Sequence, residues 1–139
     1  MKIDSIYNGI VLDHITAGKS MYIYENLGLE NIDCSIAIIK NVKSQKMGKK
    51  DIIKIDEDYD VNLDVLGYLD PNVTVSVIKN GETIKKIKPQ LPEKIINVAK
   101  CKNPRCITSV EQEIDQIFYL ADKQNHVYRC LYCEAKKEN

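Results

Sequence analysis

Hydrophobic and polar positions along the first 87 residues alternate with two different periods, which predict strands and helices in turn. Strand patterns occupy five segments: residues 9–15, 34–42, 50–55, 73–77 and 83–87. Helical spacing covers residues 19–29, and again residues 63–69 after a capping Asn62. Asn80-Gly81 predicts a hairpin turn between the last two strands. This order, β-α-β-β-α-β with one added hairpin strand, predicts a ferredoxin-like fold of the α+β class.

Alternation inside the strands also predicts which side chains share a face. The strand over residues 34–42 places four apolar side chains on one face: Cys34, Ile36, Ile38 and Val42. The strand over residues 50–55 places two lysines and an isoleucine on one face: Lys50, Ile52 and Lys54. In the first strand, Asp13 and His14 are neighbours and are therefore expected on opposite faces.

The last third of the chain is organised around cysteines and follows a linker. Pro89 and Pro92 interrupt both helix and strand, so we place a domain boundary beside them. Residues 1–91 are expected to form the first domain and residues 92–139 the second. The second domain is expected to be small and β-rich, with two strands: residues 114–120 and 124–131.

Four of the five cysteines form two close pairs: Cys101, Cys106, Cys130 and Cys133. In a reducing compartment this spacing is typical of one structural Zn²⁺ ion, since each pair can present two thiolates from one turn. Four thiolates complete the tetrahedron and leave no open position for catalysis. The alternatives are scattered core thiols, or two disulfides in an exported protein. Cys34 stands apart and is expected to be a small core residue.

Composition narrows the function classes. The 20 basic and 20 acidic residues balance, whereas a non-specific nucleic-acid binder usually carries a basic excess. No apolar run approaches the roughly 18 residues of a membrane span, and the N-terminus has no secretion-signal pattern, so we expect the cytoplasm. Charge is segregated, with a net +5 over residues 40–54, −6 over residues 55–70 and +3 over residues 79–88. Such lysine clusters either form solvated faces or hold a polyanion such as a triphosphate.

Familiar catalytic motifs are absent from the sequence. Gly18-Lys19-Ser20 matches the end of a phosphate-binding loop, but Asp13 stands where that loop needs its first glycine. His126, in a predicted turn, shows no base–orienter pairing. We therefore expect a chain without a catalytic apparatus of its own.

Four phrases occur in one order along nearly the whole chain: GIVLDHI at residues 9–15, MGKKDIIKI at 47–55, PNVTV at 71–75 and KPQLPEKI at 88–95. Together with the cysteine pattern, they make the chain similar to the regulatory chain of aspartate carbamoyltransferase. The resemblance implies an N-terminal ferredoxin-like allosteric domain and a C-terminal zinc domain. It also implies a non-catalytic subunit of pyrimidine biosynthesis, whose active sites lie on separate catalytic chains.

The resemblance further implies partners and effectors. Regulatory chains of this family pair into dimers through the N-terminal domain, and their zinc domains dock on catalytic trimers. Asn103 and the loop Cys101–Cys106 are the implied docking contact. CTP, UTP and ATP, with or without Mg²⁺, bind the N-terminal domain and shift the assembly between two states.

Matched by motif, ten residues are implied to contact nucleotide: Ile3, Asp4, Ser5, Ile6, Asp13, His14, Lys50, Ile52, Lys54 and Lys86. Lysines suit phosphates, a carboxylate can accept from ribose hydroxyls or a base amine, and the backbone of residues 3–6 suits the base. The chain departs from the family pattern at its short N-terminus and at Ser76, Gly81 and Ala135. Two alternatives therefore stay open, a zinc-dependent structural clamp with little nucleotide response and a zinc-ribbon nucleic-acid-binding protein.

Overall fold

The computed structural model describes residues 6–111 and 113–137. The chain divides into two compact units, one ending at Gln90 and the other beginning at Leu91. Each unit has its own sheet and its own buried residues. No helix within the two described ranges is long and apolar enough to cross a membrane.

The first unit contains five strands and two helices: β1 (Gly9–Thr16), α1 (Ser20–Asn26), β2 (Ile36–Ser44), β3 (Gly48–Ile55), α2 (Leu63–Leu69), β4 (Thr74–Lys79) and β5 (Glu82–Ile87). The sheet order is β2-β3-β1-β4-β5, and each neighbouring pair is antiparallel. The structure thus confirms the ferredoxin-like order and the added hairpin strand.

The core lies between one face of this sheet and the two helices. The sheet contributes six buried aliphatic side chains: Ile10, Leu12, Ile15, Ile53, Ile55 and Val75. The helices contribute Ile23, Leu66 and Leu69, whose spacing places them on the buried side of each helix. We call the opposite face of the sheet, which carries Val11, Lys50, Ile52, Lys54, Ser76 and Lys86, the outer face.

Two bulges interrupt the register of the sheet, and each corrects an expectation. In β1, Leu12 pairs with Ile53 and Ile15 pairs with Asp51, so Asp13 and His14 stand together between two core residues. The expectation that these two residues point to opposite faces is therefore wrong. His14 has a φ of 58°, because the extra residue must be absorbed locally.

In β2, the bulge lies between Ile39 and Val42, and Asn41 adopts a φ of 60°. Ile38 pairs with Ile53 on the core face, whereas Val42 pairs with Lys50 on the outer face. The prediction that Val42 shares a face with Ile38 is wrong, because one inserted residue reverses the alternation.

The predicted helix over residues 19–29 is shorter than expected. Helix α1 ends at Asn26, and Gly28 adopts a left-handed φ of 67° before a 3₁₀ turn over Leu29–Asn31. Glycine takes this conformation without steric cost, so it ends the helix one turn early.

The second unit contains three short strands and one helical turn: β6 (Lys94–Ile96), α3 (Ile107–Val110), β7 (Ile117–Asp122) and β8 (Val127–Cys130). The strands form an antiparallel sheet in the order β6-β7-β8. Buried Ile95 pairs with Phe118, and the buried Tyr128 hydroxyl donates to the Pro92 carbonyl oxygen at 2.7 Å. Strand β6 was not predicted, because three residues beside a proline are too few to show a period.

Candidate functional site

The second unit brings four thiols together from two short turns. Cys101 and Cys106 flank the loop before α3, and Cys106 occupies the N-cap position of that helix. Cys130 ends β8, and Cys133 lies in the turn that follows. The loop geometry is fixed by its own backbone, since the Cys106 N–H donates to the Asn103 carbonyl oxygen at 3.1 Å.

The four Sγ atoms lie within 4.8 Å of one another. Cys101 and Cys133 have their sulfur atoms 3.6 Å apart, and so do Cys106 and Cys130. All four cysteines are free of disulfides. A tetrahedral ion with metal–sulfur bonds of about 2.3 Å requires sulfur–sulfur distances of about 3.8 Å. The cluster therefore fits a structural metal ion.

The surroundings of the thiols oppose their ionisation unless a cation is present. Burial raises the pKa of Cys101 to about 12 and also raises the pKa of Cys130. Burial alone would raise the pKa of Cys133 as well, but the Ala135 N–H and neighbouring groups lower it to about 7. Because thiolates are the ligands, metal binding here must release protons.

Basic side chains surround this cluster. A cleft of about 130 Å³ beside Cys101 is lined in part by four lysines: Lys100, Lys102, Lys136 and Lys137. Four thiolates on a divalent ion would carry a net charge of −2, which nearby ammonium groups offset. Asn103 also lines the cleft, and its side-chain oxygen accepts the Arg105 N–H at 3.1 Å.

In the first unit, strand pairing aligns polar side chains across the outer face. Lys54 pairs with Val11, Val11 pairs with Ser76, and Ser76 pairs with Lys86. Paired residues point to the same face of a sheet, so these four residues form one row. The row crosses four strands about 4.8 Å apart, which separates the two lysine positions by roughly 14 Å.

The Asp13–Lys50 pair lies beside this row. The Lys50 ammonium is 2.9 Å from an Asp13 carboxylate oxygen, and the His14 N–H donates to the same oxygen at 2.6 Å. Burial alone would raise the pKa of Asp13, but the Lys50 ammonium and the His14 N–H together lower it below 3.8. The His14 Nδ1 atom is buried and has no hydrogen-bond partner within the described residues. Ile52 lies opposite the Asp13-His14 bulge and adds an apolar surface.

The structure thus brings five predicted residues into one neighbourhood, Asp13, His14, Lys50, Ile52 and Lys54, and aligns Lys86 with Lys54. Half-buried Ile6 precedes β1, where its side chain lies close to Gly9. The remaining predicted contacts, Ile3, Asp4 and Ser5, lie outside the described residues.

Two members of the row, Val11 and Thr74, were missed by the sequence analysis. Val11 separates Lys54 from Ser76, and Thr74 pairs with Asp13. Strand alternation alone gives no signal for them, since both belong to the site only through their partners on other strands. His126 is exposed in the second unit and takes no part in this neighbourhood.

Comparison with known proteins gives one family for both units. The family model for the "Aspartate carbamoyltransferase regulatory chain, allosteric domain" matches residues 1–90. The model for the "metal binding domain" of the same chain matches residues 93–139.

Three relatives carry the name aspartate carbamoyltransferase regulatory chain. The one from Clostridium botulinum strain Hall is 55% identical over 96% of this chain and 92% of its own length. The one from Clostridium tetani is 46% identical over 96% of this chain and 94% of its own length. The one from Bifidobacterium longum is 43% identical over 98% of each chain.

Proposed function

The chain belongs to the family of aspartate carbamoyltransferase regulatory chains, and from that premise we propose that its outer face binds nucleotide effectors while its cysteine cluster holds zinc. As a member of this family it is a non-catalytic regulatory subunit with an allosteric domain and a metal-binding domain. Its place in pyrimidine biosynthesis follows from the enzyme that it regulates.

The observation that carries the nucleotide proposal is the cross-strand row on the outer face. Lys54 and Lys86 stand at its two ends, and Val11 and Ser76 lie between them. Ammonium groups suit the phosphates of CTP, UTP or ATP, with or without Mg²⁺. The Asp13 carboxylate suits ribose hydroxyls or a base amine, while Ile52 and His14 offer flat or apolar surface. Ile3, Asp4, Ser5 and Ile6 keep their predicted role at the base.

The metal that suits the cluster best is one Zn²⁺ ion per chain, held by Cys101, Cys106, Cys130 and Cys133. Four soft thiolates in a tetrahedral arrangement favour zinc over the harder divalent ions. Such a site belongs in a reducing compartment such as the cytoplasm. Metal binding is then part of the folding free energy of the second unit.

The zinc-loaded second unit is the proposed docking surface for catalytic chains. The loop Cys101–Cys106 with Asn103 would contact the partner, and the adjacent lysine-lined cleft suits an acidic partner surface. The first unit would pair with a second regulatory chain. Residues 1–91 and 92–139 would then divide the work between effector binding and docking.

Calorimetric titration of CTP into the zinc-loaded chain, bound to its catalytic partner, tests the nucleotide proposal. We expect saturable binding that weakens at least tenfold in Lys50→Ala and in Lys54→Ala. Lys49→Ala is the matched control, because it removes the same charge from the same strand but pairs with Lys43 away from the predicted contacts. If the complex forms and no nucleotide binds, the chain is a zinc-dependent structural clamp.

A further inference from the structure

A buried carboxylate lies directly behind the proposed nucleotide site. Asp51 stands on β3 between Lys50 and Ile52, and its side chain is fully buried on the core face. One of its oxygen atoms accepts the Asn41 N–H at 3.0 Å, and the other accepts the Gly18 N–H at 3.1 Å. The sequence analysis counted Asp51 only as a charge within a lysine-rich run.

This carboxylate is ionised at neutral pH. Burial alone would raise the pKa of Asp51, but the N–H groups of Asn41 and Gly18 hold it below its usual value of 3.8. A buried carboxylate that accepts backbone N–H bonds is stable only while those donors stay in place. The donors and the carboxylate therefore fix one another.

Both donors belong to the irregular backbone that shapes the outer face. Asn41 is the bulge residue of β2, and that bulge determines which β2 residues stand beside Lys50. Gly18 belongs to the loop that follows β1, the strand whose bulge holds Asp13 and His14. One side chain thus binds backbone from both strands that flank β3.

We propose that Asp51 is a positioning residue of the nucleotide site, which it shapes from the core side without contacting nucleotide. By holding the Asn41 and Gly18 N–H groups, it fixes the two neighbouring strands against β3 and so sets the places of Lys50 and Asp13. The inference rests on the proposed nucleotide function and adds to it a residue on the opposite face of the sheet.

The test compares Asp51→Asn with the wild-type full chain, loaded with zinc. Asparagine keeps the shape but places an amide NH₂ against one backbone N–H, so that donor loses its acceptor. We expect the Kd of CTP to rise about tenfold, since a loosened support displaces the groups that it holds. The Kd of cytidine should change much less, because it lacks the phosphates that Lys50 would meet.

Asp70→Asn is the matched control for a lost buried carboxylate. Asp70 is equally buried, and it accepts the N–H groups of Thr16 and Asn72 at 2.7 and 3.1 Å, at the end of β1 beyond its bulge. We expect Asp70→Asn to lower the melting temperature by an amount comparable with Asp51→Asn. The Kd of CTP should stay within twofold of the wild-type value.

A second pair of variants tests the same contact from the donor side and does not depend on Asp51→Asn folding. Gly18 and Gly48 have φ values of +96° and +78°, and a Cβ at either position would meet no atom within 4 Å. Alanine imposes a similar backbone strain at both. Only Gly18 donates to Asp51, so Gly18→Ala should weaken CTP binding several-fold and Gly48→Ala should not.

Three results would count against the proposal, and they are distinguishable. Wild-type CTP affinity in Asp51→Asn and Gly18→Ala would overturn the positioning role while leaving nucleotide binding intact. Equal losses in the Asp70→Asn and Gly48→Ala controls would reduce Asp51 to an ordinary contributor to stability. A wild-type chain that binds no CTP would refute the proposed nucleotide function, and this inference with it.

Discussion

Gly67 lies in the middle of α2, where an ordinary helix glycine would be improved by alanine. Alanine in a helix interior is favoured over glycine by about 1 kcal/mol. In this chain, however, a Cβ at position 67 would lie 2.1 Å from the Gln90 carbonyl oxygen and 2.8 Å from its carbonyl carbon. Both obstacles are backbone atoms, so neither can rotate away. Helix α2 or the segment at Gln90 must move.

The expected result of Gly67→Ala is destabilisation. Overpacking a filled site costs about 1–3 kcal/mol, and a clash with backbone places this site at the upper end. After the helix-propensity gain of about 1 kcal/mol, we expect a net loss of about 1–2 kcal/mol in the free energy of unfolding. Urea unfolding of the zinc-loaded chain, followed by far-ultraviolet circular dichroism, measures this loss as a lower midpoint with an unchanged slope.

Asp64→Ala on the same helix is the control, since Asp64 is exposed and its removal should change stability by no more than about 0.5 kcal/mol. An increase in stability of about 1 kcal/mol for Gly67→Ala would refute the reasoning. That outcome would mean that Gln90 does not approach the helix, and that position 67 behaves as a free helical surface.

Three further predictions follow from the two sites. Cys106→Ser should lower the zinc content below one ion per chain, measured by mass spectrometry of the metal, and should unfold the second unit, because a buried thiolate ligand is lost. Asp13→Asn should destabilise the chain near neutral pH. Since the folded pKa of Asp13 is depressed, the carboxylate contributes stability above pH 3.8 that is lost as the pH falls through the folded pKa. Urea midpoints of this variant and the wild type should therefore converge below pH 3.8. Replacing Pro89 and Pro92 with glycine should reduce the nucleotide response of the assembled enzyme while the Kd of CTP stays constant. An unchanged response would remove the linker from the coupling mechanism.

Much of the fold was predictable because it rests on local pattern. The 3.6- and 2-residue periods indicated both helices and all five strands of the first unit, and Asn80-Gly81 indicated the hairpin turn. The two cysteine pairs were equally readable, since a tight turn and two thiols are local features. Family resemblance, which the comparisons confirm, added the regulatory role that no local pattern contains.

Errors arose where distant strands decide the outcome. The bulge at Asn41 moves Val42 to the outer face, and the bulge at Asp13-His14 holds two polar residues together. A bulge depends on the partner strand's register, which alternation within one strand cannot reveal. Strand β6 was missed for the same reason, because its three residues are ordered by pairing Ile95 with Phe118.

By itself, the sequence determined which segments become helices and strands, and which four thiols can share one ion, because backbone periodicity and ligand chemistry act over a few residues. The tertiary structure decided the row from Lys54 to Lys86, the burial of Asp51 behind it, and the approach of Gln90 to Gly67. Each of these joins residues that are far apart in the chain. Their geometry follows from strand register and close packing, which exist only when the whole unit is folded.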